Sequence, residues 1–234
     1  MCIRDRPITV VLSQQAWIKT LKGVDHDLNE IKFKDDDELF LFLETNSNNK
    51  LLFFASNGKF YTIDSEQLAS GRGFGDPLKL LIDLEDGEKI ISIHSYKEED
   101  NIILGSKYGN GFIVSHKDAL SNRKSGKQIL NLSEGDEAMS SANLKGNHIA
   151  VIGENKKMLI FSLDEIPRMS KGKGVKLQRY KEGYLKKIIN FNIDEGLIVV
   201  DVNGRNRLFE EIENWTGKRG QAGKKVPKGF PRNF

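Results

Sequence analysis

Lysines and arginines sit beside glycines at four places in this sequence: Gly71-Arg72-Gly73-Phe74-Gly75, Arg123-Lys124-Ser125-Gly126-Lys127, Lys171-Gly172-Lys173-Gly174 and Gly217-Lys218-Arg219-Gly220. Such stretches suit phosphate binding. The cation meets the charge, and a glycine lets backbone N–H groups approach phosphate oxygens with no side chain in the way. Duplex DNA offers about one charge per 1.7 Å of axis, and its counterions are released when cations replace them. The candidate contacts are Arg72, Arg123, Lys124, Lys127, Lys171, Lys173, Lys176, Arg179, Lys218, Arg219, Lys224 and Lys225. No recognition-helix pattern accompanies them, so binding to double-stranded DNA is expected to be non-sequence-specific.

Other constellations only imitate chemistry. Arg179-Tyr180 resembles an arginine beside a tyrosine nucleophile, but it precedes the turn Lys181-Glu182-Gly183 and reads as a strand residue. Asp35 and Asp37 resemble a metal pair in a solvated acidic turn. Gly220-Gln221-Ala222-Gly223-Lys224 lacks the spacing and the hydroxyl of a phosphate loop. His26, His94, His116 and His148 show no ligand spacing. Trp17 and Trp215 read as packing residues. No catalytic residue, metal or cofactor is expected in this chain.

The elements that must position the cations follow from a repeat. Phe60–Leu68 (FYTIDSEQL) matches Phe112–Leu120 and Met158–Ile166, and more loosely Arg207–Trp215 and Trp17–Asp25. The copies start at 17, 60, 112, 158 and 207, 43 to 52 residues apart. Each follows an apolar run and a turn, for which Asn57-Gly58 and Asn203-Gly204 predict hairpins with positive φ at both turn residues. After the basic glycines a further strand is expected over Leu78–Leu84, Gln128–Leu132 and Val175–Tyr180. A closing strand is expected over Lys89–Tyr96, Ala138–Leu144 and Leu185–Phe191. Four strands at this period predict an all-β, five-bladed propeller-like fold with blades at about 8–47, 48–97, 98–145, 146–193 and 194–234. Each blade needs neighbours to bury its faces, so the blades close into a ring or spiral.

The 234 residues are 38% hydrophobic and 29% charged, which suits a folded globular chain. The apolar runs Leu39–Leu43 and Leu51–Ala55 fall far short of the roughly 20 residues of a membrane helix. The lone Cys2 excludes an internal disulfide. The formal net charge of +3 hides segregation: −6 over residues 25–44, +7 over 166–189 and +6 over 217–234. Residues 1–7 read as a non-native leader or truncation scar joined to the interior of a longer protein.

Several motifs together carry a resemblance. They include Gly58-Lys59-Phe60-Tyr61-Thr62, Gly71–Pro77, Ser125–Asn131, Gly172–Tyr180 and Lys225–Arg232. With them the chain resembles the C-terminal β-pinwheel of the gyrase A/topoisomerase IV A family of bacterial type II topoisomerases, and within it the topoisomerase IV (ParC) type. The first loop is Lys22-Gly23-Val24-Asp25-His26-Asp27, and the full Gln-Arg-Arg-Gly-Gly-Lys-Gly box of gyrase occurs nowhere. The resemblance implies a non-catalytic domain that binds and bends the transported DNA segment for decatenation and supercoil relaxation. It implies a cytoplasmic, nucleoid-associated A2B2 holoenzyme. The N-terminal region of the topoisomerase IV A-subunit would cleave DNA, the B-subunit would turn over ATP, and Mg²⁺ would serve outside this chain. The alternatives are a gyrase-type wrapping domain and a propeller that scaffolds other proteins.

Overall fold

The computed structural model describes residues 5–71, 73–201 and 205–231. Its strands begin β1 (Pro7–Ser13), β2 (Trp17–Lys22), β3 (Leu39–Asn46), β4 (Lys50–Ala55), β5 (Lys59–Asp64), β6 (Asp76–Pro77), β7 (Ile90–Ser95), β8 (Asn101–Ser106) and β9 (Asn110–Ser115). They continue β10 (Lys127–Gln128), β11 (Ala138–Asn143), β12 (His148–Gly153), β13 (Lys157–Ser162), β14 (Val175–Lys176), β15 (Leu185–Phe191), β16 (Leu197–Val200), β17 (Asn206–Phe209) and β18 (Lys224–Lys225). Among the described residues helix is confined to His116–Ala119 and a few single 3-10 turns. None of these is long and apolar enough to cross a membrane.

The chain divides into two compact units, Met1–Glu98 with Ala119–Gln128, and Glu99–Asp118 with Ile129–Phe234. The first holds two antiparallel sheets, β3-β1-β2-β6 and β10-β5-β4-β7. The second holds β11-β8-β9-β14, β15-β12-β13-β18 and the two-stranded β16-β17. The all-β class and the four-stranded sheets are therefore as the repeat predicts, with five hairpins opening five sheets.

The repeat boundaries do not delimit the sheets. The fourth strand of each complete sheet comes from the repeat that follows: β6 pairs with β2, β10 with β5, β14 with β9 and β18 with β13. Of the strands expected over Leu78–Leu84, Gln128–Leu132 and Val175–Tyr180, the first is absent, the exchanged strand there being Asp76–Pro77 just before it, and the other two are only the two-residue β10, Lys127–Gln128, and β14, Val175–Lys176. Leu78–Leu80 is a 3-10 turn instead. Its leucine pattern serves burial, since Leu78 is fully buried in the core of its unit.

A glycine at positive φ precedes each exchanged strand: Gly75, Gly126, Gly174 and Gly223. A Cβ at Gly75 would strike the Ile18 carbonyl, and one at Gly174 the Gly111 carbonyl. Positive φ and the close approach together require glycine there. The crossing segment also forms a parallel bridge to the preceding hairpin at Thr20↔Ser70, Ile113↔Arg168 and Ile160↔Thr216.

The hairpin turns correct a second expectation. Only one residue per turn takes positive φ: Ala16, Gly58, Gly109 and Lys156. The Gly58 N–H donates to the Ala55 carbonyl (2.9 Å), and the Asn57 side chain accepts from the Lys59 N–H (3.1 Å). This is a three-residue turn ending in a left-handed residue, not the two-residue turn that Asn-Gly suggests. The Asn203-Gly204 turn lies outside the described residues.

Apolar runs without alternation arise because sheets are covered on both faces. In β12, Ile149 and Val151 join Ile103, Ile113, Phe161 and Leu177 in one core. Ala150 and Ile152 join Met158, Ile160, Leu197 and Val199 in another. Each buried aliphatic side chain contributes about 1.5–3 kcal/mol, so neither parity of the strand accommodates a polar residue.

Candidate nucleic-acid interface

The exchanged strands and their preceding loops carry most of the candidate cations. In the second unit two basic segments are stitched together. The Gly220 N–H donates to the Leu177 carbonyl (2.8 Å), the Arg179 N–H to the Gln221 carbonyl (3.1 Å), and Arg219 Nη1 to the Lys176 carbonyl (2.8 Å). Residues 171–179 and 218–225 thereby form one basic surface. Lys171, Lys173, Arg179, Lys218, Lys224 and Lys225 are exposed on it. Its glycine backbone is fixed, with Gly172 N–H on the Ile129 carbonyl (3.0 Å) and Asn131 N–H on the Gly172 carbonyl (2.8 Å).

On this surface Arg219 and Lys176 are engaged within the protein. Arg219 also donates from Nε to the Glu165 carbonyl (2.8 Å), and its N–H meets Glu165 Oε2 (2.9 Å). It clamps the loop. Lys176 Nζ donates to the Tyr108 carbonyl (2.8 Å). Burial holds its amine below the usual lysine range; nearby Asp136 opposes this, and Lys173 and Arg179 add to it. Lys173 and Arg179 are thus each close enough to Lys176 to act on its charge.

Gln178 joins the two segments from inside. Fully buried, it donates through Nε2 to the Ala222 carbonyl (2.9 Å) and, more weakly, to the Lys157 carbonyl (3.4 Å). Its Oε1 accepts from the Tyr180 hydroxyl (3.0 Å). Sequence reasoning missed this residue. The signal available was a glutamine near both Gly126 and Gly174, and Gln128 likewise donates to the Asn57 carbonyl (3.0 Å).

In the first unit Arg123 and Lys124 lie exposed on the turn closed by Gly126 N–H and the Arg123 carbonyl (3.0 Å). Lys124 Nζ reaches the Leu80 carbonyl (3.3 Å) and its own carbonyl accepts from Asp83 N–H (2.9 Å). Lys127 is exposed on β10 opposite Phe60. Arg72 lies outside the described residues. The exchanged strand of the first sheet, Asp76-Pro77, carries no cation. A lysine the sequence did not single out supports this loop: Lys19, nearly buried, donates to the carbonyls of Lys32 (2.8 Å) and Gly73 (2.9 Å).

A family model described as DNA gyrase C-terminal domain, beta-propeller, matches residues 49–97, 100–142 and 147–185, over half of the chain. The chain belongs to that family. It is similar along its whole length to the DNA topoisomerase 4 A-subunit of Caulobacter vibrioides, 44% identical over 233 residues. It is 38% identical over 231 residues, 99% of this chain, to that of Rickettsia bellii. The chain spans 30% and 31% of the length of these relatives. Among solved structures it resembles the E. coli ParC C-terminal domain at TM-score 0.79 and 27% identity, covering 97% of this chain and 96% of that one. A DNA gyrase A C-terminal domain shares the fold at TM-score 0.70 and 20% identity, over 96% of this chain and 80% of that one.

In this member of the gyrase C-terminal domain family the imitations of catalytic chemistry have structural partners. Burial raises Tyr180 well above the usual phenol range, opposite to the shift that activates a nucleophile. Asp37 Oδ1 accepts from the backbone of Gln15 and Glu38, both at 3.0 Å, as a turn cap. Trp215 Nε1 donates to the Lys225 carbonyl (2.6 Å), so this tryptophan braces the exchanged strand.

Proposed function

We propose that this chain is a DNA-binding and DNA-bending domain of a topoisomerase IV A-subunit, guiding the transported duplex for decatenation and supercoil relaxation. The observation that carries the reading is the paired basic surface of residues 171–179 and 218–225, locked by Arg219 and Gln178. Pre-set cations on fixed backbone lose little entropy on meeting phosphates. Bending a site of 20–30 bp costs on the order of 1–6 kcal/mol, within reach of several such contacts. The Caulobacter and Rickettsia relatives support the assignment to this enzyme. Strand cleavage, Mg²⁺ and ATP use are assigned to the rest of the A-subunit and to the B-subunit of a cytoplasmic, nucleoid-associated A2B2 holoenzyme. The Asp35/Asp37 pair of the first unit has Asp37 engaged as a turn cap.

Fluorescence anisotropy of a short duplex across a salt series tests the reading. Log affinity falls linearly with log salt, by about 0.9 per phosphate contacted. Reversing Lys171, Lys173, Lys224 and Lys225 to Glu flattens that slope and weakens binding at least tenfold, with an unchanged melting temperature. Unaltered affinity in this variant would show that duplex DNA is held elsewhere.

A further inference from the structure

A cavity of about 350 Å³ opens at the turn end of the first sheet. Its apolar walls are Leu12 and Ala16 of the β1–β2 hairpin, Phe40 of β3, and Leu84 and Ile90 from the chain that follows, all within the first unit. The volume falls at the lower end of the range in which small ligands and single large side chains are held. An irregularity in β3 sets Phe40 there. Leu41 pairs with Leu12 and Leu39 with Ser13, which leaves Phe40 without a partner on β1. Such a bulge re-aims a side chain. Phe40 remains 45% exposed at the mouth, and Phe42 on the same strand is 50% exposed.

The rim is acidic. Glu88 lines the cavity, its carboxylate accepting from the Ser56 hydroxyl. Gln14 lines it too, and holds Glu38 beside it: Gln14 Nε2 donates to Glu38 Oε1 (2.7 Å) and the Gln14 N–H to the Glu38 carbonyl (2.9 Å). Gln15 Nε2 donates to the Asp36 carbonyl (3.0 Å), so the exposed Asp35 and Asp36 are anchored to the same turn. These donors are neutral, so they fix the carboxylates without cancelling their charge. The lining cation is Lys89. Other nearby lysines are engaged: Lys34 lies over the Trp17 ring (3.7 Å), and Lys59 and Lys79 pair with Glu85 and Asp86.

An apolar cavity with a carboxylate rim repels phosphate and attracts cations. The chain itself shows what kind of segment lies against such a cavity. In the fourth sheet the same irregularity recurs, Ile152 pairing with Lys187 and Gly153 with Leu185 around Lys186. The cavity there, about 200 Å³, is walled by Val226, Phe230 and Pro231 beside the exposed Glu154. Those walls come from the stretch Lys224-Lys225-Val226-Pro227-Lys228-Gly229-Phe230-Pro231, in which lysines flank apolar residues. We propose that the cavity of the first sheet docks a lysine- or arginine-rich segment of another protein. One apolar side chain of that segment enters between Phe40, Leu84 and Ile90, and its cations meet Glu38 and Glu88. The proposal goes beyond the DNA-binding reading and does not depend on it, since it uses the acidic end of the first unit and none of the basic loops.

The test uses the whole chain and a fluorescein-labelled peptide with the sequence of residues 224–231. The native protein raises the anisotropy of the peptide at low salt, and the affinity falls as salt is added, because exposed ion pairs are screened. Phe40→Ser and Glu38→Lys each weaken peptide binding about tenfold or more. Both side chains are exposed, so the melting temperature of each variant stays near the native one. Replacing the lysines of the peptide by glutamate abolishes binding, and replacing its phenylalanine by serine weakens it. The affinity of Phe40→Ser for duplex DNA equals that of the native protein. A native protein that leaves the peptide free overturns the proposal, as does a Phe40→Ser protein that binds the peptide as tightly as the native one. A native dimer that Phe40→Ser splits into monomers also overturns it, since a second copy then covers the cavity. Loss of duplex affinity in Phe40→Ser would assign the ring to DNA and overturn it as well.

Discussion

At the scale of single residues, charged side chains in this chain divide by what their heads touch. Lys173 and Arg179 stand exposed, whereas Arg219 and Lys176 hold backbone carbonyls of their own unit. Type and spacing alone did not separate the two groups, because a clamp and a contact are both a basic residue beside a glycine. Lys19→Met leaves the Lys32 and Gly73 carbonyls without their donor. It is expected to cost about 1–3 kcal/mol of stability and to loosen the Gly71–Gly75 loop, which amide exchange at Gly73 and Phe74 would register. Gln178→Leu has a different signature. It strands the Ala222 carbonyl and the Tyr180 hydroxyl, and it unlinks two basic segments. Thermal melting should drop, and the salt slope of duplex binding should become shallower although no cation has been removed. A slope equal to that of the native protein would reduce Gln178 to a packing role.

At the scale of elements, the glycine before each exchanged strand decides where the chain turns. Gly174→Ala adds a methyl group against the Gly111 carbonyl at a positive φ of 75°. The expected loss exceeds about 1 kcal/mol, and β14 should detach from β9, measured as faster exchange of the amides bridging Val175 and Gly111. The hairpins were legible in the sequence because their strands run four to seven residues between turn signals. The exchanged strands were not, because two residues carry no periodicity. Lys127-Gln128 and Val175-Lys176 could pair with any open edge; the glycine beside each and an upstream tie to the hairpin choose it, the parallel bridge Ile113↔Arg168 for Val175-Lys176 and the Ser121 N–H on the Thr62 hydroxyl (3.0 Å) for Lys127-Gln128. The turn type was misread for a related reason. Asn57-Gly58 is part of a three-residue turn whose first member, Ser56, gives no sequence signal.

At the scale of the whole molecule, the net charge of +3 understates the electrostatics, since acids dominate residues 25–44 and bases the last third. Duplex binding is accordingly expected to be strongly salt-dependent despite near neutrality, and raising the ionic strength from about 50 to 200 mM should weaken it by orders of magnitude. Removing everything after Thr216 should leave β12 and β13 paired to each other but strip β18 from the outer edge of β13, so that the Met158 amide exchanges faster while that of Ile152 stays protected. The same interlock sets a timetable for synthesis on the ribosome. The hairpin of the first sheet has emerged by Lys22, yet its last strand is not made until Pro77, and the hairpin finished at Ser162 waits for Lys225. Each four-stranded sheet therefore spends roughly a repeat's worth of translation with a bare edge, an interval in which a holdase chaperone, or a lysine placed at that edge, protects the chain from pairing with its neighbours on a polysome.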